Sequence, residues 1–563
     1  MPYLSEMSNA TKMIEKTGTG RLWLLCLMVA VLAAAIYLPT LRYGYTLMDD
    51  YGLIVENFSQ ISDIGNIANV FITDAFGSNG ALYRPLLTVS FMVDALYGGK
   101  AAWSYHLTNI LMHVVSCCLL FYLLISLDYS GKASFIAASI FSIHPVLVQA
   151  VAWIPGRNDI LLTIWVLGAC ISWVRYLDDR KSRWLALHFL SGILAVFTKE
   201  TAALLPLVLL LSTRLSRRMV PAKTYILLVA GWLTIGLLWL YLKLVIITGA
   251  GEMAVIGLAD LARGLLGYIG KIIIPINFAA IPVPKDTGMV TGLIGAGILA
   301  AGILYGIRNK RKFLLGACWF IIFLTPNIFT STDYANFMEH RLYLPMVGFI
   351  IMIMELSLWQ AVSKKSGLSY VFYLIVMILL GARTAIHSSD FKDGKSFWDY
   401  AVKTSPSLYY VHDMRGRLYL QGGEIDKAEE SFLTAISLKK EYHHGYNNLG
   451  VAYLSQGRYG EEENSFRSAL LLSPSYIDAR MNIGSLYLQL GSLDSAKASF
   501  VKLLEYDPGN HQALNDLGIV YYRMNLPDSA VICLNRALEL DPGNRSYQIN
   551  LRAVKRSAGN DAR

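Results

Sequence analysis

Charge is scarce in this sequence. Only 16% of its 563 residues are Asp, Glu, Lys or Arg, against about 25% in ordinary soluble domains. A soluble chain of this length needs several cores under a well-charged surface, and this one cannot supply it. Cysteine is sparse as well, with six residues. Cys26, Cys117, Cys118, Cys170 and Cys318 lie in apolar runs and Cys533 stands alone in the C-terminal part, with neither disulfide-framework nor metal-ligand spacing. They read as small core hydrophobes. No small-residue cleavage site follows the first apolar run, so it reads as a span and not as a signal peptide. What abounds is apolar: 55% hydrophobic residues and a mean hydropathy of +0.44. The chain is an integral membrane protein.

Its charges are unevenly placed. Residues 396–563 carry 18 Lys+Arg and 19 Asp+Glu, a net of −1, which leaves +10 in residues 1–395. The basic excess belongs to the membrane part, so no nucleic-acid partner is needed to explain it. A crossing takes about 20 apolar residues. Candidate spans lie near 22–39, 107–127, 133–152, 160–177, 184–197, 201–212, 223–247, 289–307, 313–329, 343–361 and 368–386. The run 265–282 is broken by Pro275 and Pro282 and reads as re-entrant or interfacial. Eleven spans with a cytoplasmic N-terminus (Lys12, Lys16, Arg21) put every basic loop inside: Arg180-Lys181-Ser182-Arg183, Arg214 with Arg217-Arg218, Arg308 with Lys310-Arg311-Lys312, and Lys364-Lys365. The C-terminal part then lies outside.

That part repeats every 34 residues. Gly416, Gly450, Gly484 and Gly518 keep the interval, and Tyr419, Tyr453, Tyr487 and Tyr521 follow each by three. Ala428, Ala496 and Ala530 recur, with Glu462 in the second repeat's place, ahead of Phe432, Phe466, Phe500 and Leu534. Pro406, Pro474, Pro508 and Pro542 close the units, with Lys440 in the missing slot. This is the tetratricopeptide pattern: small residues admit close helix approach, aromatics fill the groove, proline marks the turn. The expected organisation is a cytoplasmic segment 1–21, a membrane domain 22–395 with a first outer loop 40–106, a half repeat or linker helix 396–408 containing Trp398 and Ala401, four repeats over 409–550, and a tail 551–563. Such arrays present a concave surface to extended peptide; a stalk with no peptide ligand is the plainer reading.

The outer loops differ from the inner ones. Asp49-Asp50 follows the first span, then Glu56-Asn57, Tyr83-Arg84-Pro85 and Trp103-Ser104-Tyr105-His106. His144-Pro145, Gly156-Arg157-Asn158-Asp159, Thr198-Lys199-Glu200, Asn336 through Arg341, and Arg383 come later. Arg84, Arg157, Lys199, Arg341 and Arg383 all lie outside, against the positive-inside rule. Cations gathered there suit an anionic ligand such as lipid phosphate, which guanidinium binds bidentately. For each residue alone, a solvated loop or an ion pair with a neighbouring acid accounts equally well.

In this order, the motifs resemble the transmembrane and tetratricopeptide-repeat protein O-mannosyltransferases of the GT-C superfamily. The resemblance rests on Asp49-Asp50 with Glu56-Asn57, Tyr83-Arg84-Pro85-Leu86 with Tyr105-His106-Leu107-Thr108-Asn109, His144-Pro145-Val146 with Gly156-Arg157-Asn158-Asp159, Lys199-Glu200, Glu339-His340-Arg341-Leu342-Tyr343-Leu344-Pro345, and the repeats behind them. It implies an all-α fold: a polytopic GT-C-like helix bundle of about 11 spans, then an α-solenoid. It implies transfer of a sugar, by analogy mannose, from a polyprenyl-phosphate carrier to Ser or Thr of a polypeptide on the extracytoplasmic face, with inversion. Asp49 or Asp50 would be the catalytic base; adjacency does not choose between them. Arg84, Arg157, Lys199 and Arg341 would offset the leaving phosphate's charge. His106, His144, Glu200, Glu339 and His340 would position sugar and phosphate or hold those cations. Paired carboxylates could hold Mg²⁺ or Mn²⁺, but a lipid-monophosphate leaving group does not require one, and no metal or other cofactor is expected beyond the lipid-linked donor. The partners implied are membrane lipids and an acceptor polypeptide, with no nucleic acid. Two rival readings are sugar transfer to a lipid or polysaccharide, and a non-catalytic anchor displaying its repeats. A bacterial or archaeal plasma membrane, or the endoplasmic reticulum of a eukaryote, is the expected location.

Overall fold

The computed structural model describes residues 19–73, 83–215, 220–246, 258–328, 337–359 and 367–560. Lys12, Lys16, Arg217, Arg218, Asn336, Lys364 and Lys365, invoked above, lie outside them. The chain divides into two compact units, Met1–Ser405 and Pro406–Arg563. Among the described residues both are built of helices and turns, with one isolated bridge between Ile307 and Leu356.

Five described helices are long and apolar enough to cross a membrane: Gly20–Arg42, Ala102–Ser126, Ile154–Asp179, Ala222–Ile246 and Ser369–Phe391. A sixth span results if Gly131–Ile143 and Pro145–Ala152, bent by 52° at His144, count as one. Among the described residues the expected eleven is not confirmed. Helices do occupy the other apolar runs, but they are short: Ser182–Thr198, Leu205–Leu215, Met289–Tyr305, Lys310–Leu324 and Tyr343–Met354. Lys199-Glu200 breaks one pair, Gly306 at φ +141° ends another helix, and Glu355 stops the helix from Tyr343. Within 265–282, the helix Leu258–Ile273 gives way to irregular chain at Pro275, as the prolines suggest.

These helices give the first unit two chemically distinct ends. The antiparallel pair Arg157–Asp179 and Ser182–Thr198 turns at Arg180-Lys181 and closes at its other end through Lys199 Nζ, 2.8 Å from Asp159 Oδ1. At the basic end Arg308 binds the buried Glu355 at 3.1 Å, and Tyr129 donates to the same carboxylate at 2.7 Å. The opposite end gathers mixed acids, cations and imidazoles.

An ion pair inside the bundle fixes that second end. Arg157 and Asp94 are both fully buried, 2.5 Å apart. Arg157 Nε donates to Asn109 Oδ1 at 2.7 Å, Nη2 donates to Tyr105 O at 2.7 Å, and Phe91 lies against the guanidinium face at 4.6 Å. Charges enclosed this way survive only fully paired.

The second unit contains four helix pairs, 409–421 with 425–438, 443–455 with 459–472, 477–489 with 493–506, and 511–523 with 527–540, and a closing helix Arg545–Asn560. The reason for the 34-residue glycine is visible. A Cβ at Gly416, Gly450 or Gly484 would stand 2.6–2.7 Å from the ring of Phe432, Phe466 or Phe500. The expected half repeat is corrected. The helix Gly394–Thr404, with Trp398 and Ala401 fully buried, belongs to the first unit: Tyr400 donates to Phe278 O at 2.8 Å and Ser405 to Ile281 O at 2.5 Å.

Glu462 departs from the repeat's logic. It is fully buried where the other repeats have alanine, and neither carboxylate oxygen has a hydrogen-bond partner among the described residues. Burial pushes its carboxyl up from 4.5 to about 7. Between those values the folded chain keeps a proton that the unfolded chain has released, so stability falls as pH rises through that window. Above about pH 7 the accumulated loss is about 3 kcal/mol. Glu462→Ala is expected to raise the thermal midpoint of the repeats more at pH 8 than at pH 5. Equal midpoints at both pH values would show the carboxyl to be solvated.

Candidate active site

The Asp49-Asp50 loop is shaped by a left-handed turn. Leu47 has φ +59°, a conformation costly for a residue with a Cβ. Asp50 is enclosed: Oδ2 accepts from Thr46 N at 2.7 Å and from Thr46 Oγ1 at 3.0 Å, and Oδ1 accepts from Tyr51 N at 3.0 Å. Asp49, its neighbour, is exposed to solvent. Burial nevertheless raises the carboxyls of both to about 6, in Asp50 against its hydrogen bonds from Thr46. The Asp49 carboxylate is thus reached by water yet closely surrounded by protein.

A second group is assembled from four separate chain segments. Arg84 grips Glu200 with two donors, Nη2 at 2.9 Å and Nε at 3.4 Å. Asn158, with its amide turned to satisfy both neighbours, accepts from Arg84 Nη1 at 3.1 Å and donates to Thr198 O at 3.0 Å. Lys199 Nζ reaches both oxygens of Asp159, at 2.8 and 2.9 Å. His340 directs Nε2 toward Asp159 at 3.9 Å, while its backbone N and Nδ1 meet Gln149 Oε1 at 3.0 and 3.2 Å. Arg341 lies within electrostatic reach of Asp159, Arg84 and Glu200. Burial opposes ionisation of Glu200, yet Arg84 and Lys199 hold its carboxyl down at about 2. Burial, with Lys199, Arg341 and Arg84, keeps His340 far below its ordinary value and so neutral. Among the described residues Arg84, Lys199 and Arg341 thus gather around Asp159 and Glu200.

Four expected ligand-binding residues are absent from this group. Arg157 spends its donors inside the protein, as described. His106 is buried with Nε2 3.5 Å from Gly44 O, behind the Asp49-Asp50 loop. His144 is consumed at the helix bend, accepting from Val146 N at 3.2 Å through Nδ1 and donating through Nε2 to Ile272 O at 3.0 Å. Glu339 is fully buried, accepting from Lys271 Nζ at 2.7 Å, Ala279 N at 2.9 Å and His387 Nε2 at 3.2 Å. Arg157, His106 and Glu339 are spent on bonds inside the protein, while His144 also lines an apolar cavity. Asp159, Gln149, Asp94, Lys271 and His387 were not singled out as site residues from the sequence. Asp94 and Lys271 carried a signal nonetheless: each is a lone charge in an apolar run and so demands a buried partner. Within the apolar part lies a cavity of about 330 Å³ lined by side chains including Ile140, Ile298, Met346, Phe349 and Phe372.

Residues 88–242 match the model of the dolichyl-phosphate-mannose-protein mannosyltransferase family, and tetratricopeptide-repeat models match 416–457, 443–476 and 481–545. Among curated relatives, protein O-mannosyl-transferase Tmtc1 of Drosophila melanogaster is 32% identical over 31% of this chain and 21% of its own length. A Caenorhabditis elegans protein O-mannosyl-transferase is 25% identical over 71% of this chain and 60% of its own. The chain is similar, in its membrane part and its repeats, to the protein O-mannosyl-transferases of the TMTC family. It spans less than two thirds of the length of these relatives. Among solved structures, MamA overlaps 28% of the chain at 24% identity with a TM-score of 0.26.

Proposed function

We propose that this TMTC-like chain is a multi-pass membrane glycosyltransferase that moves a sugar, by family mannose, from a polyprenyl-phosphate carrier to Ser or Thr of a polypeptide held by its repeats. The observation that carries this reading is the difference between the two adjacent carboxylates. Asp50 is sealed by Thr46 and Tyr51, and Asp49 is open, raised to about 6 and free to meet a hydroxyl. Asp49 is therefore the base and Asp50 the residue that sets its loop.

The chemistry is a single displacement. Asp49 accepts the hydroxyl proton, the hydroxyl oxygen bonds to the anomeric carbon, and the bond from that carbon to the phosphate oxygen breaks, with inversion. The electron pair leaves on the lipid phosphate, whose charge Arg84, Lys199 and Arg341 offset. No metal is assigned a role. The apolar cavity matches an isoprenoid chain in chemistry. The basic end faces the cytoplasm, and the site and repeats face the other side.

The test is transfer from polyprenyl-phosphate mannose to Ser/Thr-rich peptides by the full chain in lipid vesicles. Wild-type turnover to peptide supports the reading. Turnover to lipid or polysaccharide alone, or none with any donor alongside peptide binding, overturns it. Arg341→Gln is expected to raise the donor KM about tenfold, the worth of one charge-assisted hydrogen bond, with the acceptor KM unchanged.

A further inference from the structure

Asp49 sits on a loop braced from the far end of the first unit. Gly44 N donates to Lys392 O at 2.8 Å, and the Tyr43 hydroxyl lies 3.5 Å from Ser388 Oγ. The tightest contact is at Gly394, the first residue of the helix Gly394–Thr404. A Cβ built there would stand 2.7 Å from Leu47 Cδ1 and 2.9 Å from Leu47 Cγ. Leu47 is the residue in the left-handed conformation, three before Asp50 and two before Asp49. That conformation persists only if its surroundings hold it. One hold is Asp50, closed onto Thr46; the other is the bare backbone at Gly394, into which the leucine side chain fits. The helix carrying Gly394 is in turn anchored: Asp393 caps it through Ser396 N at 2.8 Å, and Phe397 and Trp398 are fully buried.

We propose that Gly394 is a positioning residue for Asp49, acting through Leu47. The absence of a side chain at 394 lets the leucine seat, and the seated leucine fixes the turn that presents the Asp49 carboxylate. This rests on the reading of Asp49 as base. Helix propensity offers no competing account of the glycine, because it lies at no positive φ and alanine at a helix start is intrinsically favoured over it.

The experiment compares wild type, Gly394→Ala, Leu47→Gly and the double variant as full chains in lipid. Sugar transfer is one readout. The other is the rate at which a thiol reagent modifies a Met48→Cys reporter in each background, read at that peptide by mass spectrometry. Gly394→Ala is expected to lower kcat about 100-fold, the cost of displacing a reacting group by roughly 1 Å, with the donor KM unchanged, and to change the labelling rate. Leu47→Gly removes the clashing side chain and supplies a residue at home at φ +59°, so in the double variant both readouts return to the Leu47→Gly values. A kcat that does not fall in Gly394→Ala, or a double variant slower than Leu47→Gly alone, overturns the proposal. Labelling that never moves overturns it whether or not sugar is transferred. Labelling that moves and recovers in a chain without transfer activity leaves the brace standing and overturns the base assignment instead.

Discussion

Asp49→Asn is expected to lower kcat for sugar transfer by about 10²–10⁴, the usual worth of a positioned general base, while the donor KM stays within about twofold, since the carboxylate meets the hydroxyl and not the phosphate. The asparagine keeps the shape of the residue and removes only its basicity. The pH profile supplies a second reading. With Asp49 at about 6 in the free protein, kcat/KM should climb tenfold per unit of pH below that value and level above it. Asp50→Asn behaves differently. Its oxygens hold Thr46 N and Tyr51 N, and an amide can replace only part of that acceptance, so the loop loosens and both kcat and thermal stability fall. A flat pH profile in wild type, or an Asp49→Asn variant with unaltered turnover, would remove Asp49 from the mechanism. Because the two aspartates influence each other, an observed midpoint belongs to the pair.

The repeats were legible in the sequence because their physics is local and periodic. Gly416 and Phe432 must meet in every unit, so the pattern recurs in every unit. The polar cluster was legible as residues but not as partners. Arg84, Lys199, Glu200, His340 and Arg341 lie near one another, yet nothing in their spacing says that Lys199 faces Asp159 while Arg84 faces Glu200. Those pairings depend on how helices return to one end of the bundle. The segment 396–408 reads as a half repeat or a linker helix because Trp398 and Ala401 fit the repeat's composition, whereas the helix that carries them belongs to the first unit. Span number was less legible, because helices such as Ser182–Thr198 and Met289–Tyr305 are apolar but too short for length and composition alone to make them crossings.

Arg157 shows most clearly how motif position and chemical role part company. A cation on the outer face reads as a phosphate ligand; the structure encloses it with Asp94 and leaves it no route to one. The two roles predict different things. If Arg157 served the donor, Asp94→Leu would leave the fold alone and alter the donor KM. As a buried pair, Asp94→Leu instead strands a guanidinium in a medium that cannot solvate it, and the expected cost is about 3–5 kcal/mol, read as a large fall in thermal midpoint in detergent. Arg157→Met alone strands the carboxylate and should cost similarly. Replacing both at once removes both charges, and the double variant is expected to recover most of the loss, because the pair's attraction does little more than repay its own desolvation. Recovery will be incomplete: Asn109 and the Tyr105 carbonyl lose a donor, and Tyr97 and Thr108, which donate to Asp94 Oδ1 at 3.1 and 2.5 Å, lose their acceptor. Additive losses in the double variant would mean that the two charges are not coupled. A midpoint unchanged in Asp94→Leu would mean that Arg157 finds water, and with it a path to the donor.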